Sequence, residues 1–220
     1  MSNSTPEAIS RISSDRKRTN LLRHLEQPTI AFLCRIMPPF ISPNMLTAFS
    51  LLASFLIFYG FWLGKDDSYA LSISILGLAL QWFGDSLDGR IAYYRNIPRK
   101  WYGFSLDMYM DWLSVVLMTL GFYFYMEDGY KVLSFLFVAC YAGIMILTLL
   151  KYKIANVYAI DSGLFGPTEL RIGICLVLLA SMFYPSVLTY FAIIIVVFLF
   201  VINIVEFRNV LRLGDERDRE

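Results

Sequence analysis

The chain has one histidine, His24, and three cysteines, Cys34, Cys140 and Cys175, none in a CxxC or Cys/His spacing. That inventory speaks against a zinc site, a disulfide framework, and Ser/His/Asp or Cys/His catalysis; the cysteines read as buried free thiols and His24 as a surface residue. Net charge is only +1, so no global pull toward nucleic acid exists and no nucleic-acid partner is expected. The first forty residues are polar and basic, which is not the pattern of a cleavable signal peptide. No internal repeat is visible.

What the chain has in excess is apolar length: 57% of its residues are hydrophobic and the mean hydropathy is +0.57. Six segments are expected to cross a bilayer as helices of about 20 residues. They are 45–64, 69–91, 103–126, 130–150, 167–184 and 186–205, the fifth being short and opening on Glu169 and Arg171. Turn-sized links such as "KDDS", "NIPRKW" and "EDG" make successive helices antiparallel neighbours; only 151–166 is longer. With both termini on one side, seventeen of the nineteen lysines and arginines share it, leaving Lys65 and Lys131 opposite. Both termini are therefore expected in the cytoplasm.

The expected fold is all-α: an integral membrane bundle of six transmembrane helices with an N-terminal interfacial amphipathic helix. Residues 1–40 form a cytoplasmic tail and that helix, 41–207 the catalytic bundle, and 208–220 a second tail. In the first part, Leu21, Leu22, Leu25, Phe32 and Leu33 alternate with Arg18, Arg23, Glu26 and Arg35, as in a helix lying among headgroups. Pro28 is expected to break or kink it, and residues 1–15 and 213–220 to be frayed.

Four aspartates interrupt this apolar pattern. Asp85 and Asp88 are three apart, about 60° around a helix, and Asp107 and Asp111 are four apart, about 40°. Asp85 and Asp88 stand thirteen and ten residues before Pro98, Asp107 and Asp111 nine and thirteen after it. In an antiparallel hairpin all four can meet at one depth, about 10–20 Å from the turn. One charge near the bilayer centre already costs about 3 kcal/mol on insertion scales, and four like charges cannot all remain ionised together. A divalent cation resolves the conflict, and an all-oxygen donor set favours Mg²⁺ or Mn²⁺ over Zn²⁺. The competing reading is a set of structural ion pairs with Arg90, Arg95 or Arg99. Gly89 and Gly103, with Ala92 continuing the small face, let a backbone or a ligand approach closely, although small residues also serve plain helix packing.

The run Asp85-x2-Asp88-Gly89-x2-Ala92 … Gly103-x3-Asp107-x3-Asp111 resembles the signature of the CDP-alcohol phosphotransferase (phosphatidyltransferase) family. "SPNMLT", residues 42–47, resembles that family's entry to its first transmembrane helix, and "GPTELR", residues 166–171, a stretch of some bacterial members. Two departures stand out: Tyr93 replaces the arginine that follows the alanine, and the gap to Gly103 is one residue longer. Arg95 or Arg90 stands near enough to take over that arginine's phosphate contact. The resemblance implies a CDP-linked alcohol as donor, CDP-diacylglycerol or a CDP-head group, and an acceptor hydroxyl, one of the two being a lipid. CMP is released, in phospholipid synthesis, at a bacterial inner membrane. It further implies Asp85, Asp88 and Asp107 as metal ligands, with Asp111 as general base and ligand. Asn44, Thr47, Gly89, Ala92, Arg95 and Gly103 would line the nucleotide and diphosphate site. The family often forms homodimers.

Arg99, Lys100, Lys151, Lys153 and Arg171 are candidates for a basic acceptor pocket, against their plainer reading as positive-inside residues. Glu169 and Arg171 shape that pocket or pair with one another. Two other functions compete. A Mg²⁺-dependent prenyl-diphosphate transferase also uses Asp-rich motifs but gives no reason for the D-G-x2-A spacing. A divalent-cation transporter would spread carboxylates through the membrane's depth, and beyond Asp111 the apolar segments offer almost none.

Overall fold

A computed structural model of the chain describes residues 22–155 and 167–219. The described residues form seven α-helices: α1 Arg23–Ile36, α2 Pro43–Gly64, α3 Leu71–Tyr94, α4 Lys100–Tyr125, α5 Val132–Ala155, α6 Pro167–Phe183 and α7 Ser186–Asp218. Two 3₁₀ turns, Ser68–Ala70 and Asp128–Tyr130, join α2 to α3 and α4 to α5, and no strand occurs among the described residues. The expectations for residues 1–15 and for the link after Ala155 fall outside them.

Each of the six apolar segments forms a helix. Four of the stretches, Pro43–Gly64, Ser68–Tyr94, Asp128–Ile154 and Ser186–Asp218, are long and apolar enough to cross a membrane, the makeup of an integral membrane protein. The stretch containing α5 buries only 6% of its most apolar window within the protein; residues such as Phe135, Ile146 and Leu150 face outward. Two helices fall short of that standard for identifiable reasons. Asp107 and Asp111 lower the hydropathy of α4, and α6 has 17 residues.

Helix ends follow local chemistry. Ser42 caps α2 by accepting the Met45 N–H at 3.2 Å, with Pro43 at the first helical position, a combination suited to a helix start. At the other end of α3, Asn96 takes φ 56° and the Ile97 N–H returns to the Ala92 carbonyl at 2.9 Å. This is the left-handed cap that asparagine tolerates, with Pro98 just beyond to prevent continuation.

Three details differ from expectation. Pro28 lies inside a continuous α1; near the first turn its missing N–H forfeits one bond, and the helix carries on. Glu26, grouped from the sequence with the polar residues of α1, also turns inward. Ile30, Ala31 and Cys34 do the same, while Leu25 is 71% exposed and Phe32 52%. Finally, α7 continues through Asp218, beyond the expected boundary near 207, helped by i,i+4 pairs Arg212–Glu216 and Asp215–Arg219 of the kind that support exposed helices.

The packing centre is α2, against which both α3 and α4 lie; α3 and α4 are not themselves a closely packed backbone pair. Small residues allow this. A Cβ on Gly84 would stand 2.7 Å from the Leu46 carbonyl oxygen and 2.9 Å from the Ser50 nitrogen, and one on Gly121 2.8 Å from the Phe58 Cα. Gly84→Val is therefore expected to destabilise the protein by about 1–3 kcal/mol through forced separation of α2 and α3. Gly173→Ala, where an added Cβ meets nothing within 4 Å, is expected to be neutral or stabilising by up to about 1 kcal/mol. Thermal unfolding of both variants in detergent checks the pair.

Candidate active site

Since α3 and α4 both lean on α2 without closing on each other, their facing sides can project long polar groups into the space between. Asp85 on α3 and Asp107 and Asp111 on α4 do so: one oxygen from each lies within 4.8 Å of the others. Asp85 is partly withdrawn from solvent, its side chain 19% exposed. Arg171 on α6 reaches the same place, donating from Nη2 to Asp85 Oδ2 at 2.6 Å.

The fourth aspartate has a further partner. Asp88 is buried, and its Oδ2 accepts from Thr47 Oγ1 of α2 at 2.6 Å; its other oxygen is contacted by the Gly89 N–H. The hairpin argument brought all four together by depth alone. It omitted α2, which packs against both helices and supplies a hydroxyl to Asp88. Side chains three apart share a helix face only to within about 60°, enough for Asp85 to face α4 and Asp88 to face α2.

The donor set suits a hard dication. Three carboxylates in mutual reach, with no imidazole or thiolate among them, form an all-oxygen cluster of the type Mg²⁺ and Mn²⁺ use. Ion pairing also occurs, through Arg171, which had not been weighed from the sequence as a partner of the aspartates. Arg95 donates to the backbone carbonyls of Ile41 (2.5 Å), Pro38 (2.8 Å), Met37 (3.3 Å) and Pro39 (3.4 Å), stapling the link between α1 and α2. Its guanidinium is directed at that link. Arg90 is buried.

Gly89 and Gly103 are exposed, and a Cβ at either would meet nothing within 4 Å. Helix packing does not account for these two glycines; the space beside them is open. Ala92 is half-buried one turn on from Asp88. At the mouth between α2 and α4, Asn44 Nδ2 donates to the Tyr102 hydroxyl at 3.1 Å. Arg99 Nη2 donates to Asn44 Oδ1 at 2.8 Å while its guanidinium carbon lies 4.0 Å from the Tyr102 ring centre. A cleft of about 350 Å³ runs from Asn44, Thr47 and Tyr102 to Leu51, Leu106 and Met110. Tyr102 was not singled out from the sequence; its place one residue before Gly103 was the available signal.

The remaining basic candidates each have their own surroundings. Lys151 donates to Glu206 on α7 at 2.6 Å, Lys100 sits 5.9 Å from the Trp101 ring, and Lys153 is exposed. Glu169 accepts the Leu22 N–H at 2.8 Å as Arg171 turns to Asp85.

An all-helical membrane protein with a carboxylate cluster between two helices is the class that these features define. The family model for CDP-alcohol phosphatidyltransferases matches residues 40–202, and the chain belongs to that family. No curated protein matches the chain.

Arg95→Met is expected to cost about 1–3 kcal/mol of stability by leaving several carbonyls of the 37–41 link without their donor. A rise in donor KM at unchanged unfolding temperature would instead assign Arg95 to phosphate. The two are separated by thermal unfolding and initial-rate kinetics on one preparation.

Proposed function

We propose that this protein transfers a substituted phosphate group from a CDP-linked alcohol to an acceptor hydroxyl with release of CMP, as a step in phospholipid synthesis. Family membership supports the reaction class over prenyl transfer or cation transport. The single observation that carries the reading is the convergence of Asp85, Asp107 and Asp111 within 4.8 Å, on the two helices bearing the D-x2-D-G-x2-A and G-x3-D-x3-D spacings.

In this reading α4 and α6 also traverse the membrane, which gives six spans. The predominance of lysine and arginine on one side supports cytoplasmic termini, and the outward Leu25, Phe32 and Ile36 of α1 suit a helix lying along the headgroups. Asp85, Asp107 and Asp111, with Asp88 beside them, hold a Mg²⁺ or Mn²⁺ ion, which supplies charge neutralisation to a diphosphate when bound. Asn44, Thr47, Gly89, Ala92 and Gly103 line the nucleotide side, where Arg99 joins them through Asn44. The apolar reach of the cleft, toward Leu51, Leu106 and Met110, suits the lipid partner.

The chemistry needs one base. Asp111 takes the proton of the acceptor hydroxyl as its oxygen attacks the phosphorus that carries the alcohol. The new P–O bond forms, the phosphoanhydride bond breaks, and CMP leaves with the electron pair. Thr47, by bonding Asp88, keeps that carboxylate fixed beside the reacting groups while the buried faces of α2 and α3 exclude water.

Purified protein with Mg²⁺ and a panel of CDP-alcohols and acceptors is expected to release CMP with one pairing; release with none overturns the reading. Asp111→Asn is expected to lower kcat by about 10²–10⁴-fold while donor binding, followed by equilibrium dialysis, stays largely intact. Retained turnover removes Asp111 from the role of base.

A further inference from the structure

Glu26 is a buried acid that the transfer reaction does not use. It lies on α1, is 4% exposed, and accepts a hydrogen bond from Thr168 Oγ1 of α6 at 3.1 Å. The neighbouring Glu169 accepts the N–H of Leu22, the residue at the head of α1, at 2.8 Å. Burying a carboxylate is costly unless it is hydrogen-bonded, so an inward-facing Glu26 is a specific tie rather than a packing accident. The first turn of α6 is thus clasped to the first turns of α1.

Two further contacts connect this clasp to the carboxylate cluster. Arg171 follows Thr168 by three positions, about one turn along the same side of α6, and donates to Asp85 at 2.6 Å. On its inner face α1 packs Ile30, Ala31 and Cys34 into one core with Leu87 and Ile91 of α3, the residues that flank Asp88. Both members of the Arg171–Asp85 pair therefore sit on helices that α1 grips, α6 by hydrogen bonds and α3 by apolar contact.

We propose that Glu26 and Thr168 are positioning residues that seat Arg171 against Asp85, so that the helix preceding the bundle sets the charge balance of the carboxylate cluster. The proposal rests on reading that cluster as the dication and diphosphate site. A guanidinium beside Asp85 opposes a second cation there and orients the carboxylate. Releasing the clasp lets the guanidinium move off, so a dication binds more tightly while the aligned arrangement needed for turnover is lost.

The test compares Glu26→Leu and Thr168→Val with Glu26→Gln and Thr168→Ser in the full-length protein in detergent. Glutamine still offers an accepting oxygen, serine still offers a hydroxyl, and valine matches threonine in shape. Binding of Mn²⁺ alone is followed by electron paramagnetic resonance, and CMP release by initial rates. Glu26→Leu and Thr168→Val are expected to tighten Mn²⁺ binding about threefold and to lower kcat about tenfold with little change in donor KM. The two conservative variants are expected to match wild type, and the Glu26→Leu/Thr168→Val double to be no worse than the poorer single. Weaker Mn²⁺ binding together with slower turnover marks general loosening and overturns the proposal. Wild-type behaviour of Glu26→Leu and Thr168→Val in both assays does the same. A wild type that binds Mn²⁺ but releases no CMP refutes the transfer reaction, and the Mn²⁺ comparison still decides the clasp. A wild type that binds no Mn²⁺ overturns both.

Discussion

Like charges held together inside an apolar bundle are the constraint around which this molecule is organised. Asp85, Asp107 and Asp111 approach within 4.8 Å on helices whose other faces are hydrophobic, and each would be better solvated almost anywhere else. Such an arrangement persists only if the backbone carrying it cannot relax. The rigidity comes from α2, which lies against α3 through the glycines at 60, 77 and 84 and against α4 through Gly121. Ser74 Oγ donates to the Ile57 carbonyl across the α2–α3 seam at 2.9 Å, and Thr47 to Asp88 near the start of α2. Close backbone approach and a few buried hydroxyls replace the hydrophobic driving force that helices lack within lipid.

Most of the helical layout was legible because it follows from one variable, apolar length. Six hydrophobic segments became six helices with ends displaced by a few residues, α7 excepted, and a cap such as Ser42 or Asn96 decides some of the termini. The carboxylate cluster was legible for a related reason: equal distance from a turn means equal depth, and Asp85 and Asp111 are symmetric about Pro98. What remained hidden depended on the third neighbour. Nothing in the α3–α4 spacing reveals that α2 supplies Thr47 to Asp88, or that α6 supplies Arg171 to Asp85. Long-range partners of this kind are set by packing rather than by period.

The faces of α1 carry the same lesson in sharper form. The sequence groups Glu26 with the basic residues of α1, and the structure turns it inward while Leu25 stays exposed. This arrangement is consistent once the surroundings are counted. In a protein whose exterior is largely apolar, an exposed leucine meets a compatible medium, whereas a carboxylate needs donors, and Thr168 provides one. The arginines obey a similar logic. Read from the chain they form a diffuse cytoplasmic charge, yet Arg95 closes the link before α2, Arg99 bridges to Asn44, and Arg217 donates to the carbonyls of Lys153 and Ile154. Positive-inside residues can orient a membrane protein and still hold particular local positions.

The helices outside the cluster complete the argument about rigidity. α5 and α7 form their own pair, locked within the apolar layer by Asn203, whose amide donates to the Cys140 carbonyl at 2.9 Å over a position where Gly143 leaves no room for a side chain. Toward the end of α5, Lys151–Glu206 repeats the tie. None of these groups belongs to the carboxylate set. Their effect is to hold α5 and α7 as one unit. The start of α6 is fixed separately, against α1, and α6 carries Arg171, a cation that faces the cluster from outside the α3–α4 pair. A charge on a helix anchored at its first turn keeps its position when neighbouring helices shift slightly, which is what a group opposite carboxylates requires.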